Sequence, residues 1–272
     1  MNKPTILAPL AVLLMAGCDF ENFDHGNRER EDFSYTHNLR PGGRVSVENY
    51  NGRVEVAGWD RDTVEITGTK YAETRAELAA IKIDVAAAGD AVVIRTIRPS
   101  DRHGNSGATY IIKVPRRAEL DKIHSSNGAI RVDGVEGKAR LQTSNGSITV
   151  TGATGALDAH TSNGRIETRL LKVAPRSEIR LETSNGGIDL SMDSFDSNEV
   201  RASTSNGRIT VTLPPDINTK LRAQAGRNSI KTDFDVKTDG FGDRRSLRGD
   251  IGAGGPLIDL STSNGNIELR RH

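Results

Sequence analysis

Three kinds of residue in this sequence could do chemistry: one cysteine, six histidines and one pair of acidic residues. Cys18 is the only cysteine, so it has no disulfide partner within the chain, and thiolate metal clusters are excluded. The histidines, at positions 25, 37, 103, 124, 160 and 272, are scattered. The sequence contains no zinc-protease motif, phosphate-binding glycine loop, serine-hydrolase elbow or calcium nonapeptide array. We therefore expect no enzymatic activity, no catalytic residue and no cofactor.

The acidic pair is Glu167 and Asp189, which occupy equivalent positions in two consecutive copies of an internal repeat. Two neighbouring carboxylates could hold a divalent cation or act as an acid and base pair. The alternative interpretation is that nearby residues neutralise or separate the two charges, namely Arg165, Arg208 and Thr149. We favour this alternative, so the pair remains a weak candidate for a metal site.

The repeat itself is built on the pair Asn-Gly, which is followed by a short alternating segment. Seven copies occur, and the regular ones in the middle are 18 to 22 residues apart, which is the range of solenoid turns. The copies are Asn51 and Gly52, Asn127 and Gly128, Asn145 and Gly146, Asn163 and Gly164, Asn185 and Gly186, Asn206 and Gly207, and Asn264 and Gly265. Asn and Gly both tolerate the left-handed backbone conformation, so each pair predicts a sharp corner between extended segments. A stack of antiparallel hairpins is disfavoured, because their turns recur every ~8 to 12 residues.

The segments beside each corner alternate with a period of two, which indicates β-strands. The residues predicted to face inward are Ala139, Leu141, Thr143, Leu157, Ala159, Thr161, Ile179, Leu181, Thr183, Val200, Ala202 and Thr204 before the corners, and Ile130, Val132, Ile148, Val150, Ile188, Leu190, Ile209 and Val211 after them. His160, between two of them, is then a surface residue. One turn of chain, or rung, cannot bury its apolar face alone, but stacked rungs form continuous ladders. The sequence therefore predicts an all-β, single-stranded parallel β-solenoid, in which the inward Thr hydroxyls bond the corner backbone.

The N-terminus predicts a lipid anchor. Lys3 and an apolar run at 6–15 precede Ala16-Gly17-Cys18, and the run is too short to span a bilayer. This stretch resembles the lipobox of bacterial lipoproteins, which implies cleavage before Cys18 and lipidation of its thiol. The predicted divisions are a signal peptide at 1–17, the lipidated cysteine and a flexible charged tether at 18–32, and a β-solenoid at 33–272.

Outside the regular rungs, residues 73–81 are good helix formers and predict a short helix that caps the N-terminal end of the solenoid. A weak copy at 226–232 predicts one more rung. The glycine-rich and charged stretch 233–255 is expected to leave the stack as a loop, and residues 257–269 are expected to close the chain as a final rung.

The repeats resemble the bacterial envelope domains of unknown function known as "putative adhesin" β-strand-repeat domains. The resemblance rests on the corners, on Val45-x-Val47-x-Asn49-x-Asn51-Gly52-x-Val54-x-Val56-x-Gly58-Trp59-Asp60, on Tyr110-x-Ile112-x-Val114-Pro115 and on Gly254-Gly255, and it covers about residues 33–271. It implies kinship with pectate-lyase-like β-helices and, together with the rung length, favours a right-handed solenoid. It carries over no catalytic residue.

These observations predict a non-enzymatic protein of the bacterial envelope, lipid-anchored on the periplasmic face or at the cell surface. Its expected partners are the membrane and an envelope protein or polysaccharide. A net charge of +1 gives no strong case for binding of nucleic acid or of another anionic polymer. Two alternatives stay open: a carbohydrate-active enzyme, such as a polysaccharide lyase or hydrolase, and a component of an envelope-stress sensor. Trp59, the single tryptophan, is interpreted as a cover for the first rung rather than a sugar platform.

Overall fold

The structure is a computed structural model that describes residues 28–98, 105–238 and 244–272. The predicted signal peptide, Cys18 and most of the tether lie outside the described residues. The helix is α1 (Arg75–Ala80). The strands are β1 (Glu29–Asn38), β2 (Arg44–Asn51), β3 (Val54–Trp59), β4 (Thr63–Ala72), β5 (Lys82–Ala88), β6 (Ala91–Ile97), β7 (Gly107–Pro115), β8 (Glu119–Asn127), β9 (Ile130–Asp133), β10 (Ala139–Asn145), β11 (Ile148–Thr151), β12 (Leu157–Asn163), β13 (Ile166–Leu170), β14 (Glu178–Asn185), β15 (Ile188–Met192), β16 (Glu199–Asn206), β17 (Ile209–Leu213), β18 (Thr219–Ala225), β19 (Ile230–Thr232), β20 (Val236–Lys237), β21 (Ser246–Ile251), β22 (Leu257–Asn264) and β23 (Ile267–Arg271).

Two long sheets are connected by the Asn-Gly corners. Sheet A has the order β1-β4-β7-β3-β9-β11-β13-β15-β17-β23-β19, and sheet B has the order β20-β21-β18-β22-β16-β14-β12-β10-β8-β2-β6-β5. Each corner joins a strand of sheet B to the next strand of sheet A, and the strands of successive regular rungs pair in parallel. The prediction of a parallel β-solenoid is confirmed.

Alternation along the strands builds a single core between the two sheets. Every residue predicted to face inward in the regular rungs is at most 6% exposed. The register stacks apolar residues of one rung on apolar residues of the next: Ile148 pairs with Ile130 and Ile166, and Leu141 pairs with Ile123 and Ala159. Burial of one such Ile or Leu is worth about 1.5 to 3 kcal/mol, so each rung gains stability from the apolar residues that it stacks on its neighbours.

The stack does not follow chain order at either end. β22 and β23 lie between the rung of β16 and β17 and the rung of β18 and β19, so the last rung of the sequence is internal. Likewise β2 and β3 lie between the rung of β8 and β9 and the strands β6 and β7. Residues 257–269 form a regular rung at the end of the chain, as predicted, but this rung does not lie at the end of the stack. The reason is that a corner with Asn-Gly fits best on another such corner, and the weak copy lacks this pair.

The N-terminal end differs from the prediction in one boundary. β1 begins at Glu29, so residues 29–32 belong to a strand and not to the tether. This strand pairs antiparallel with β4 along its whole length, and it lies at the edge of sheet A, where charged residues remain solvated. Ion pairs hold it, with Lys70 Nζ 2.8 Å from Glu31 Oε1 and Arg75 Nε 3.3 Å from Glu29 Oε1.

The predicted helix is present as α1, which connects sheet A to sheet B at this end. Thr74 caps it, since its Oγ1 accepts a hydrogen bond from the Glu77 amide at 3.2 Å. Leu78 packs with Ala72 and Ile81 in a small separate cluster. At the opposite end, the stretch 233–255 is only partly a loop, because β21 pairs antiparallel with β18 and extends sheet B.

Candidate functional site

The corner asparagines form a continuous ladder on the surface. Six of them, at positions 127, 145, 163, 185, 206 and 264, are joined by hydrogen bonds in which each Nδ2 donates to the Oδ1 of the preceding rung at 2.7 to 2.9 Å. At one end Asn127 Nδ2 donates to the Tyr50 carbonyl at 3.4 Å, and Asn51 donates instead to the Ser106 carbonyl at 3.0 Å. The ladder fixes the register of the rungs and leaves the other face of each amide to solvent.

The inward threonines also bond the corners, as predicted. Thr143, Thr161, Thr183, Thr204 and Thr262 each donate from Oγ1 to the carbonyl of the corner glycine in the neighbouring rung, at 2.9 to 3.0 Å. All are at most 6% exposed. Their role is structural, because the hydroxyls are fully used inside the stack.

The corner glycines are required for a reason that differs from the prediction. Among the described corner residues only Gly52 has a positive φ, of 115°, and none of the corner asparagines does. The left-handed interpretation is therefore wrong for the other six corners. Instead, a Cβ at Gly164 would lie 1.9 Å from the Gly146 carbonyl oxygen, and one at Gly265 would lie 1.8 Å from that of Gly207. Backbones of adjacent rungs approach too closely for any side chain at this position.

The acidic pair is brought together as its repeat positions predict. Glu167 on β13 and Asp189 on β15 are direct partners in the register. Arg165 donates to Asp189 Oδ2 from Nε at 2.6 Å and approaches it with Nη2 at 2.5 Å. Within the described residues, no group of three or more His, Cys, Asp or Glu side chains could hold a metal ion. The geometry thus gives Asp189 an internal cation as its partner.

Two further single residues were singled out by the sequence. Trp59 donates from Nε1 to the Thr63 carbonyl at 2.8 Å, and its ring is covered by Arg61 at 4.9 Å and Lys113 at 5.4 Å. The chain's own cations therefore occupy the ring that a sugar would need. His160 lies on the surface with Nδ1 3.8 Å from Glu182 Oε2.

A long row of charged side chains lies on the outer face of sheet B. Seven side chains stand side by side across seven strands, and we call them the arginine column: Arg140, Asp158, Arg180, Arg201, Asp259, Arg222 and Arg248. Five arginines and two aspartates give it a formal charge of +3. Neighbouring members are separated by the strand spacing, about 4.8 Å, so the column presents cations at a regular interval along the solenoid.

The members of the column differ in how they are paired. Arg180 donates to Glu182 at 2.7 and 3.0 Å, and this hydrogen bond and charge raise the pKa of Arg180. Arg140 and Arg222 approach the aspartates of the column only at 3.8 Å. Arg201 and Arg248 make no side-chain ion pair or hydrogen bond with any residue in the described part of the chain. Two exposed guanidinium groups are thus available to a ligand.

Part of this column could have been found in the sequence. Repeat alignment gives Arg140, Asp158, Arg180 and Arg201 directly, and matching the Asn264 corner to the Asn206 corner would have added Asp259. Arg248 enters through antiparallel pairing of β21, for which the sequence carries no repeat signal.

The described residues contain no helix that is long and apolar enough to cross a membrane. Comparison with family models matches residues 39–270 to the family described as Toastrack DUF4097. A search of curated proteins gives no match.

Several crystal structures of bacterial proteins are similar at low sequence identity. A "putative cell adhesion protein" from Clostridium sporogenes is 12% identical over 89% of this chain and 100% of its own, with a TM-score of 0.41. A "putative adhesin" from Bacteroides fragilis is 12% identical over 89% of this chain and 97% of its own, with a TM-score of 0.39. A "putative lipid binding protein" from Parabacteroides distasonis is 12% identical over 91% of this chain and 97% of its own, with a TM-score of 0.28.

Proposed function

The chain belongs to the Toastrack DUF4097 family, and from that premise and its surface we propose that it is a non-enzymatic binding scaffold of the bacterial envelope, anchored by lipid at Cys18. Its binding surface is the arginine column of sheet B, and its ligand is an extended acidic polysaccharide. The observation that supports this is the row of five arginines at strand spacing, two of them unpaired.

The chemistry of the column suits a polymer of carboxylates. A guanidinium group presents a planar fork of N–H donors that matches a carboxylate in two parallel hydrogen bonds. A rigid solenoid holds such forks at fixed separations, so successive charged sugars can be bound without ordering any loop.

The test is binding of polygalacturonate to the purified soluble domain, with a neutral glucan as the comparison ligand. We expect binding to polygalacturonate alone, weakened by salt because the contacts are exposed. The double variant Arg201→Ser, Arg248→Ser should lower the affinity about tenfold, as expected for the loss of two exposed ion pairs of about 0.7 kcal/mol each.

The matched control is the double variant Arg131→Ser, Lys231→Ser, which removes two exposed and unpaired cations from the outer face of sheet A. Its net charge equals that of the first variant, so an equal loss of affinity in both would refute the assignment to sheet B. If the polymer is instead cleaved, and Glu167→Ala or Asp189→Ala abolishes cleavage, the enzyme interpretation replaces this one.

The anchor is tested separately. Cys18→Ser should abolish labelling with radioactive palmitate while the folded domain keeps its melting temperature. A Cys18→Ser protein that is still labelled in the membrane fraction would refute the proposed lipid anchor.

A further inference from the structure

Asparagine followed by glycine is a chemically reactive pair in any protein. The backbone nitrogen of the glycine attacks Cγ of the asparagine, because glycine has no side chain to obstruct the approach. An N–Cγ bond forms, the Cγ–Nδ2 bond breaks, and the glycine amide proton leaves with the departing ammonia. One water then opens the resulting succinimide to aspartate or isoaspartate, with no change of oxidation state. This chain has seven such pairs.

The stack protects most of them by hydrogen bonding the attacking group. The amides of Gly52, Gly146, Gly164, Gly186 and Gly207 each donate to the carbonyl of the corner asparagine in the next rung, at 2.8 to 3.1 Å. The side chains that would be attacked are also fixed. Asn145, Asn163, Asn185 and Asn206 are each held on both sides within the asparagine ladder.

Asn264 is the exception, because the ladder ends there. Its Nδ2 donates to Asn206 Oδ1 at 2.9 Å, but no described residue donates to its Oδ1, and the Gly265 amide has no acceptor among the described residues. The next strand, β18, pairs with β22 only as far as Ala225 and Thr262. Beyond that point a solvent-open hollow of about 500 Å³, lined in part by Gly226 and Arg227, lies beside Asn264.

We propose that Asn264 is a site of spontaneous deamidation in the folded protein and that the other corner asparagines are protected by the stack. The isoaspartate product adds a methylene group to the corner backbone, and the aspartate product carries a carboxylate where Asn264 had its Nδ2 donor. That carboxylate faces the Oδ1 acceptor of Asn206, so the modification removes the last link of the ladder and adds a negative charge next to the hollow.

Asn127 is the closest competitor, since the Gly128 amide also lacks a hydrogen bond among the described residues. Its carboxamide is nevertheless held on both sides, by Asn145 Nδ2 at 2.7 Å and by the Tyr50 carbonyl at 3.4 Å. Asn127 should therefore react more slowly than Asn264.

The experiment is incubation of the folded domain at mildly alkaline pH, followed by tryptic digestion and tandem mass spectrometry. Each Asn-Gly pair is quantified by the mass increase of the deamidated peptide, and fragment ions separate Asn264 from Asn266. A parallel incubation in urea gives the intrinsic rate of every pair without structure. We expect Asn264 to react at least about tenfold faster than Asn206 in the folded protein, since Asn264 lacks two of the hydrogen bonds that hold Asn206.

The ratio of folded to urea rates at each pair isolates the protection by structure from the effect of neighbouring residues. A ratio near one at Asn264 and far below one at Asn145, Asn163, Asn185 and Asn206 supports the proposal. Equal ratios at Asn264 and Asn206, or a higher ratio at Asn127 than at Asn264, would overturn it.

Discussion

Two buried threonines on consecutive strands of the chain, one in each sheet, should respond in opposite directions to the same substitution. Thr168 on β13 stands in an apolar ladder between Val150 and Leu190, and it is 2% exposed. Its Oγ1 has no hydrogen-bond partner. Thr183 on β14 is 5% exposed, and its Oγ1 donates to the Gly164 carbonyl at 2.9 Å.

The expected magnitudes follow from that difference. A buried hydroxyl without a partner costs about 1 to 3 kcal/mol, so Thr168→Val, which replaces it by a methyl group of similar size, should stabilise the fold by about 1 kcal/mol. Thr183→Val removes a donor and leaves the Gly164 carbonyl without it, so it should destabilise the fold by about 1 to 2 kcal/mol.

Calorimetry of the two variants and the wild type measures both effects. For a domain of this size about 1 kcal/mol corresponds to roughly 2 to 4 °C, so Thr168→Val should raise the melting temperature and Thr183→Val should lower it. Because stability in a solenoid is shared between neighbouring rungs, hydrogen exchange of β13 and β14 should change in the same directions. Shifts of the same sign and size in the two variants would refute the assignment of the unpaired hydroxyl.

The adjacent glycines 186 and 187 offer a second matched pair. Gly186→Ala places a Cβ 2.0 Å from a carbonyl oxygen of the neighbouring rung and should lower the free energy of unfolding by more than about 3 kcal/mol. Gly187→Ala places its Cβ 3.3 Å from the nearest carbonyl oxygen and should lower it by less than about 1 kcal/mol, both measured by urea denaturation. Burial, aided by the charge of Lys122, lowers the pKa of His124 below its usual value. The unfolded chain thus binds the proton more readily, so stability should fall as pH drops below about 6.5 and level off below the folded pKa. In His124→Gln the melting temperature should depend less on pH over this range. Ile188→Asp puts a charge into an apolar ladder and should prevent folding or open the central rungs. Asp189→Ile, on the outer face of the same strand, should change the free energy of unfolding by no more than about 0.5 kcal/mol. If calcium raised the melting temperature of the wild type and not that of Asp189→Ile, the non-metal interpretation would be contradicted.

The rung and its faces were predictable because they depend only on local period. Alternation fixes which of Leu181 and Glu182 faces the core, and the spacing of the corners fixes the register between copies. The origin of the glycine requirement was not predictable, because a left-handed corner and a close approach between rungs both select Gly. Only the stacked backbones, with carbonyl oxygens where a Cβ would be, distinguish the two. The arginine column was visible only as far as the copies align.

The order of the rungs was hidden for a different reason, since identical corners can stack in any order. The weak copy could have followed the Asn206 corner directly, closing 21 residues of chain between Asn206 and Arg227, which stands at the corner position, whereas the observed contact closes 58 residues to Asn264. The longer loop costs only about 0.9 kcal/mol more in closure entropy. In return the Asn264 corner gains the amide bond to Asn206 and the Thr262 bond to Gly207, each worth about 1 kcal/mol. The weak copy cannot make either bond, because the register puts Ala225 at the position of Thr262 and puts Arg227 and Asn228 at the positions of Asn264 and Gly265. The better corner therefore displaces the nearer one, and the weak copy is left at the outer end, where the asparagine ladder stops.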